Sequence, residues 1–247
     1  MSDKRSPARA KRMDGLDLMK ALGILMVLSL HVPLWDVDFI VAPTVSRAVQ
    51  YALRLVSEGV PVFVAVNGFV LLGKGGFDLK DHLKKTLRLF ILTLMWCAIL
   101  AVAGMLLARE REPFTVRAVL NYIAGTKVNA KYTGVLWYMQ NLLAVYLLFP
   151  ALKLLYDERF DVFKWLFVAV AIFTVGLGTV ELVRDVLDLY VGTTLLTRFI
   201  AFARRFSPLG DGWYLFYFML GGMVRANWDA MKKHRVPLAV AGIVSWP

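Results

Sequence analysis

Only one cysteine, Cys97, and three histidines occur in this chain of 247 residues. A single cysteine excludes an intrachain disulfide framework, and Cys97 lies in a hydrophobic block, where a buried structural thiol is the ordinary interpretation. The three histidines are scattered, and no group of residues shows the spacing of a metal site. The glycines of GKGG at 73–76 fit neither a phosphate-binding loop nor a dinucleotide fingerprint. The sequence therefore predicts no bound metal and no bound nucleotide cofactor.

Acidic residues are also few, 18 against 29 Lys and Arg, which gives a formal net charge of +11. A basic chain suggests a nucleic-acid partner, but 59% of the residues are hydrophobic and the mean hydropathy is +0.61. Such a composition is typical of a membrane protein, in which excess Lys and Arg set the orientation and contact anionic headgroups or phosphorylated substrates. We expect contact with membrane lipids and no nucleic-acid partner.

The apolar residues form blocks of about 17 to 25 positions, each long enough to cross a bilayer as a helix. This pattern predicts an all-α polytopic membrane protein with a bundle of about six full transmembrane helices plus a truncated seventh. The seventh block, 236–247, has twelve residues and reaches only about 18 Å. The stretch 181–206 is ambiguous between a span and a helix in the interface plane. The six predicted spans are 16–34, 49–72, 87–107, 135–156, 162–180 and 213–224.

Residues 1–13 are basic and polar, and they predict a cytoplasmic tail before a transmembrane domain over 14–247. No small-residue cleavage site follows the first apolar block, so this block is interpreted as an anchored span and not as a removed signal peptide. With the N-terminus inside, the cytoplasmic segments carry more Lys and Arg than the outer ones. We therefore expect a cytoplasmic N-terminus.

Two ionisable residues interrupt the first span, Lys20 and His31. They are eleven positions apart, almost three helical turns, so they share one face at about 16 Å along the axis. Ionisable groups inside a membrane helix are costly and usually face a bundle interior, a cavity or a partner charge. For Lys20 the alternative is snorkelling to the interface beside Asp17. For His31 it is a hydrogen bond that only holds a neighbouring helix.

Glu58 in the descending second span is the predicted partner of His31. Counted from the inner boundary, His31 lies about 22 Å up and Glu58 about 21 Å up. A carboxylate at that depth stabilises the imidazolium and fixes its tautomer, as a general base requires. The alternative is a pair between Glu58 and Arg54, one turn away.

A strongly basic segment, 80–88, precedes the third span and is predicted to be a loop. It is interpreted either as a positive-inside anchor or as a docking surface for a polyanionic cytosolic ligand. His82 and His234 lie in basic segments of this kind. We expect both imidazoles to be solvated.

The first span, DGLDLMKALGILMVLSLH, resembles the first-helix signature of the membrane acyltransferase-3 family. These are integral-membrane O-acyltransferases that acetylate bacterial surface glycans. The signature has a basic residue, ten residues and then a histidine, which are Lys20 and His31 here. Family members usually have Arg in the first position, so Lys20 keeps the charge but loses the bidentate fork.

Four further segments extend the resemblance in the same order along the chain. VPVFVAVNGFVLLG is similar to the second helix, with Asn67 in place of a serine. KKTLR resembles the basic motif that opens the third helix, here Lys85 and Arg88. LWYMQNLLAVYLLFP is similar to the fourth-helix pattern and contains Trp137, although Val135 replaces a common histidine. YLFYFMLGGMV resembles a later helix that ends in Leu-Gly.

The resemblance implies an enzyme of the bacterial cytoplasmic membrane with acetyl-CoA as co-substrate and no bound cofactor. The acceptor would be a hydroxyl of a cell-surface or lipid-linked glycan. His31 would act as the base or carry the acyl group transiently. The substrate-binding candidates are Lys20, Asn67, Lys85, Arg88 and Trp137.

The family usually has about ten spans, so the chain is expected to lack the last few. Two other classes of function remain open at this stage. One is a carrier or flippase for a glycan or lipid, with Lys20, His31 and Glu58 along its pathway. The other is an inactive membrane scaffold.

Overall fold

The computed structural model describes residues 13–31, 59–107, 116–117, 136–188, 197–198, 200–201 and 213–234, and the regular structure in these ranges is helical throughout. Its helices are α1 (Asp14–His31), α2 (Gly59–Leu72), α3 (Leu79–Leu107), α4 (Trp137–Glu158), α5 (Phe160–Ala171), α6 (Leu177–Asp188), α7 (Trp213–Ala226) and α8 (Trp228–Lys233). The predicted all-α class is confirmed for this part of the chain.

Two of the described helices, Tyr138–Glu158 and Phe160–Glu181, are long and apolar enough to cross a membrane by length and composition. Helix α2 is also apolar but shorter. The number of six spans stays a prediction, because the structure describes only parts of the other predicted spans. The segment 236–247 lies outside the described residues.

Helices α5 and α6 are continuous through a π-helical segment, Ile172–Gly176. A π segment widens one turn of a helix without ending it. The ambiguous stretch therefore begins as a continuation of the fifth span, and the helix extends to Asp188.

Helix α3 begins at Leu79, two turns before the predicted start of the third span, so the prediction of a basic loop over 80–88 is wrong. The reason is the carboxylate of Asp78, whose Oδ1 accepts hydrogen bonds from the backbone N–H groups of Lys80 at 2.8 Å and Asp81 at 3.2 Å. These are two of the first N–H groups of a helix, which otherwise have no partner. The cap starts the helix inside the basic segment.

One face of α3 is buried along most of its described length. His82, Thr86, Thr93 and Cys97 are all buried, at spacings of four, seven and four residues. Residues at such spacings lie on one helical face. The predicted burial of Cys97 is confirmed, with 2% of the residue exposed.

Helix α2 crosses α7 with their backbones in contact. A Cβ atom at Gly68 would collide with the carbonyl oxygen of Phe218, and one at Gly221 would collide with the carbonyl oxygen of Ala65. Small residues of this kind allow close helix approach, the usual means of helix association in membranes. The glycine of the Asn67-Gly68 pair is therefore required by packing.

Helix α1 crosses the other end of α2 in a similar way. A Cβ atom at Gly59 would collide with the carbonyl oxygen of Gly23 and would lie 2.9 Å from Cβ of Met26. Helix α2 is thus held between α1 and α7. Around it the core is aromatic and aliphatic; its most buried side chains are Val64, Leu72, Phe163, Phe218 and Met219.

Several helix ends meet at one end of the bundle. The side chain of Arg225 at the end of α7 lies against Gly73 after α2, and Lys153 near the end of α4 bonds to Leu72. Helices α3 and α5 begin at this end, directly after α2 and α4. Met13, before α1, lines a cavity together with residues of α8. We call this the basic end, because the cationic segment 74–88 lies there.

Candidate functional site

A cavity of about 150 Å³ opens at the basic end, between the α2–α3 connection, the first turns of α3 and the last turns of α4. We call it the His82–Lys153 pocket. Five of its lining residues are central to the argument below: Lys74, His82, Lys85, Phe149 and Lys153.

Lys153 is a buried cation in the wall of the pocket, with 3% of the residue exposed. Its Nζ donates to the carbonyl oxygen of Leu72 at 2.7 Å and to Oδ1 of Asp157 at 2.6 Å. Leu72 is the last residue of α2, so its carbonyl lacks a donor within its own helix. Lys153 thus caps α2, and Asp157 compensates its charge, as a buried ammonium requires.

His82 is buried beside it, with 8% of the residue exposed, so the expectation of a solvated His82 is wrong. Its Nε2 lies 2.8 Å from the carbonyl oxygen of Tyr146 and 3.3 Å from Oγ1 of Thr86. A carbonyl only accepts, so Nε2 carries a proton. The carbonyl of Tyr146 is available because Pro150, four residues later in α4, has no N–H.

Aromatic rings enclose the imidazole of His82. The ring of Phe149 lies 4.8 Å away between centroids, and those of Phe77 and Tyr146 each lie 5.7 Å away. These rings exclude water from much of the imidazole surface, which strengthens its polar contacts. By contrast, His234 lies exposed in the turn after α8, as predicted.

The two predicted basic residues of α3 differ in position. Lys85 lines the His82–Lys153 pocket and is exposed at its rim. Arg88 is exposed on the next turn of α3 and does not line the pocket. The structure therefore brings Lys85 together with His82 and Lys153, two residues that the sequence did not predict for the site.

The pairing of His31 with Glu58 stays a prediction. His31 is the last residue of α1, and its side chain lies outside the described residues, as does all of Glu58. The neighbouring backbone shows that Gly59 packs against Gly23 and Val27, the latter one turn before His31. Lys20 lies on α1 with its side chain exposed.

The two other predicted substrate-binding residues lie away from the pocket. Asn67 is half-buried on α2, about 7.5 Å along the axis from Leu72. Trp137 begins α4, about 24 Å along the axis from Lys153, and its side chain lies outside the described residues. Their roles stay predictions.

Cations dominate the surface around the pocket. Five Lys and Arg but only two Asp occur in 74–88. In the exposed turn between α4 and α5, the side-chain hydrogen bond with Asp161 raises the pKa of the Arg159 guanidinium.

In the described ranges no group of His, Cys, Asp or Glu has the arrangement of a metal site.

A second cavity, of about 720 Å³, lies between α1, α2, α7 and α8. Its walls are mostly apolar and include Leu16, Phe69, Leu220 and Trp228. The ring of Trp228 meets that of Phe69 edge-on at 5.3 Å. This second cavity is lined by none of the predicted site residues.

The described residues thus form a helical bundle with membrane-length apolar helices and a basic pocket at one end. The family model of the acyltransferase domain, that of the acyltransferase-3 family, matches residues 13–246. The chain therefore belongs to this family and is a membrane acyltransferase. Comparison with curated proteins and with solved structures gave no significant match.

Proposed function

We propose that this acyltransferase moves an acetyl group from acetyl-CoA to a hydroxyl of a cell-surface or lipid-linked glycan. The observation that carries the proposal is the basic pocket at one end of the bundle in a chain of this family. CoA carries several phosphate charges, and the pocket offers cations at its rim and in its wall. The glycan acceptor rests on the resemblance to enzymes that acetylate surface glycans.

Lys85 at the rim and Arg88 one turn further along α3 are the proposed contacts of the donor phosphates. Both side chains are exposed, so both can reach a ligand that approaches from solution. Charge-assisted hydrogen bonds from Lys and Arg to phosphate are among the strongest polar contacts in proteins. Exposed cations also raise the rate at which a polyanion meets the site.

In the transfer step, the acceptor hydroxyl oxygen attacks the thioester carbonyl carbon, and the bond between that carbon and sulfur breaks. His31 accepts the hydroxyl proton, and the departing CoA thiolate takes up that proton from the imidazolium, which restores the neutral base. Glu58 is proposed to stabilise the imidazolium of His31. Lys20, Asn67 and Trp137 are proposed to position the substrates.

We propose that the basic end faces the cytosol of a bacterial cell, across its cytoplasmic membrane. The support is the positive-inside rule, by which Lys and Arg accumulate in cytoplasmic segments. Helix α1 begins at the same end, so the N-terminus would be cytoplasmic. This orientation exposes the pocket to the compartment that supplies acyl-CoA.

The test is a transfer assay with the full chain in lipid nanodiscs, acetyl-labelled acetyl-CoA and a lipid-linked oligosaccharide. Label should pass to the saccharide and be released by mild alkali, as an O-acetyl ester is. A carrier or flippase would leave the saccharide unlabelled and move it across a vesicle membrane. That result, obtained with several saccharides, would overturn the proposal.

A further inference from the structure

We propose that the buried side chains of Lys153 and His82 bind one phosphate group in the pocket between them, with Lys85 at the rim. Only the identity of the ligand rests on the proposed function, in which the phosphate belongs to CoA. The phosphate site itself rests on the geometry of the pocket.

Lys153 has one donor to offer. An ammonium has three N–H donors, and two of them reach Leu72 and Asp157. Among the described residues no third oxygen or nitrogen acceptor contacts Nζ, which lies 5.6 Å from the centroid of the Tyr156 ring, and Lys153 lines the cavity. Its charge is held in place by burial and by two short hydrogen bonds, so a ligand meets a preorganised cation.

His82 has one ring nitrogen to offer. Its Nε2 is engaged by Tyr146 and Thr86, whereas no described residue forms a hydrogen bond with Nδ1. His82 also lines the cavity. When the imidazole is protonated, Nδ1–H is a charged donor of the kind that binds phosphate oxygens.

The size of the pocket matches a single phosphate group and not a whole cofactor. A cavity of about 150 Å³ accommodates a compact ligand the size of benzene, so it has room for one phosphate group. Pockets for complete drug-sized ligands usually exceed about 300 Å³. The rest of a larger ligand would therefore lie outside, over the exposed side chains of Lys74 and Lys85.

Two carboxylates also line the pocket, and both have cationic or N–H partners. Asp78 accepts the backbone hydrogen bonds that begin α3. Asp81 lies 3.7 Å from Nζ of Lys84. Their charges are thus partly compensated, and the remaining Lys side chains keep the entrance cationic.

A purely structural role of Lys153 and His82 is the alternative, because each satisfies a carbonyl that lacks a helical partner. The variant His82→Gln separates the two roles. Its side-chain amide can still donate to Tyr146 but has no equivalent of Nδ1. Lys153→Met keeps the length of the side chain and removes the charge. Lys164→Met, at an exposed lysine of α5, is the matched control.

The experiment measures equilibrium binding of CoA, inorganic pyrophosphate and pantetheine to the full chain in nanodiscs of neutral lipid. We expect Lys153→Met and His82→Gln to weaken binding of CoA and pyrophosphate about tenfold or more, as loss of a charged hydrogen bond does. Pantetheine, which has no phosphate, should bind the wild type and all variants with the same affinity. Lys164→Met should bind like the wild type.

Wild-type affinity for CoA and pyrophosphate in folded His82→Gln and Lys153→Met would overturn the phosphate site, whether or not the protein transfers acetyl groups. If Lys153→Met does not fold, the affinities of His82→Gln and Lys85→Gln for CoA and pyrophosphate test the site: wild-type affinity in both would overturn it. Binding of pyrophosphate, or of phosphatidic acid in the nanodisc, without binding of CoA would support the site and reject the acyl-CoA donor. Transfer activity is not needed for any of these outcomes.

Discussion

Nε2 of His82 on α3 donates a hydrogen bond to the carbonyl oxygen of Tyr146 on α4, at 2.8 Å. That carbonyl has no donor in its own helix because Pro150 lacks an N–H. An unsatisfied backbone carbonyl in an apolar environment is destabilising. The imidazole of His82 on α3 therefore supplies the hydrogen-bond donor that Pro150 cannot provide within α4. The proline and the histidine therefore form one structural unit.

This relationship predicts energetic coupling between His82 and Pro150. Replacing Pro150 by Ala restores an N–H to α4, which can then satisfy the carbonyl of Tyr146. His82→Ala should consequently destabilise the wild type more than the Pro150→Ala protein, with a coupling free energy of about 1 kcal/mol. A double-mutant cycle of thermal or denaturant unfolding in detergent measures it. Additive effects would show that the two residues act independently.

Gly68→Ala should destabilise the crossing of α2 and α7. The added methyl group would meet the carbonyl of Phe218, and backbone cannot move aside as a flexible side chain can. Overpacking of this kind costs about 1–3 kcal/mol, so the melting temperature should fall. Gly178→Ala is the matched control, because a Cβ atom there meets nothing within 4 Å. Equal melting temperatures of the two variants would contradict the close crossing.

His31→Ala should abolish acetyl transfer and leave membrane insertion intact. Alanine is small and apolar, so it suits a membrane helix, but it cannot accept the hydroxyl proton. Loss of a general base lowers the rate by about 10²–10⁴-fold. His234→Ala, at an exposed histidine, should retain wild-type turnover. Normal turnover of purified His31→Ala would remove His31 from the mechanism.

Replacing Lys85 and Arg88 together by Gln should raise the KM for acetyl-CoA and weaken its dependence on salt. The physical reason is the loss of two cations that attract the phosphates at low ionic strength. The control replaces Lys80 and Lys164 by Gln, which removes the same charge from exposed positions that do not line the pocket. Initial rates over a range of acetyl-CoA and salt concentrations give the KM of each variant and its salt dependence. If both double variants raise the KM for acetyl-CoA by the same factor, the change results from the lower overall positive charge and not from a specific contact of Lys85 and Arg88.

A cysteine pair at positions 31 and 58 should cross-link, in a background without Cys97, if His31 and Glu58 face each other. A disulfide requires Cβ atoms about 3.8 Å apart, so its formation is a stringent test of proximity. A pair at Gly73 and Arg225, whose side chain lies against Gly73, is the positive control. Cross-linking of the control pair alone would exclude Glu58 as the partner of His31.

The apolar runs of the sequence predict the helical class and the approximate positions of α4, α5 and α7, because length and hydropathy suffice for membrane helices. The early start of α3 was missed because its first turns carry so many charges. The signal was present in Asp78, an N-capping residue before a run of helix formers.

The sequence did not predict Lys153 or His82 as site residues, since burial depends on the neighbouring helices. For Lys153, a lysine inside an apolar span with Asp157 one turn later was the available signal. For His82, the spacing to Thr86 and Thr93 marks a polar stripe on α3 that faces α4. Lys85, which lines the pocket, was named as a candidate because its motif is read from sequence alone.

The length of α1 sets the distance over which the proposed chemistry must act. From Asp14 to His31 the helix rises about 26 Å, and Gly23 fixes its height against Gly59 of α2. Neither helix can slide without backbone collision, so His31 stays far from the basic end. If the proposed phosphate site beside Lys153 anchors the donor, its acyl group would have to reach His31 on a long, thin arm through the bundle. Under the proposed function, donors would then be selected by the length of the linker between phosphate and thioester.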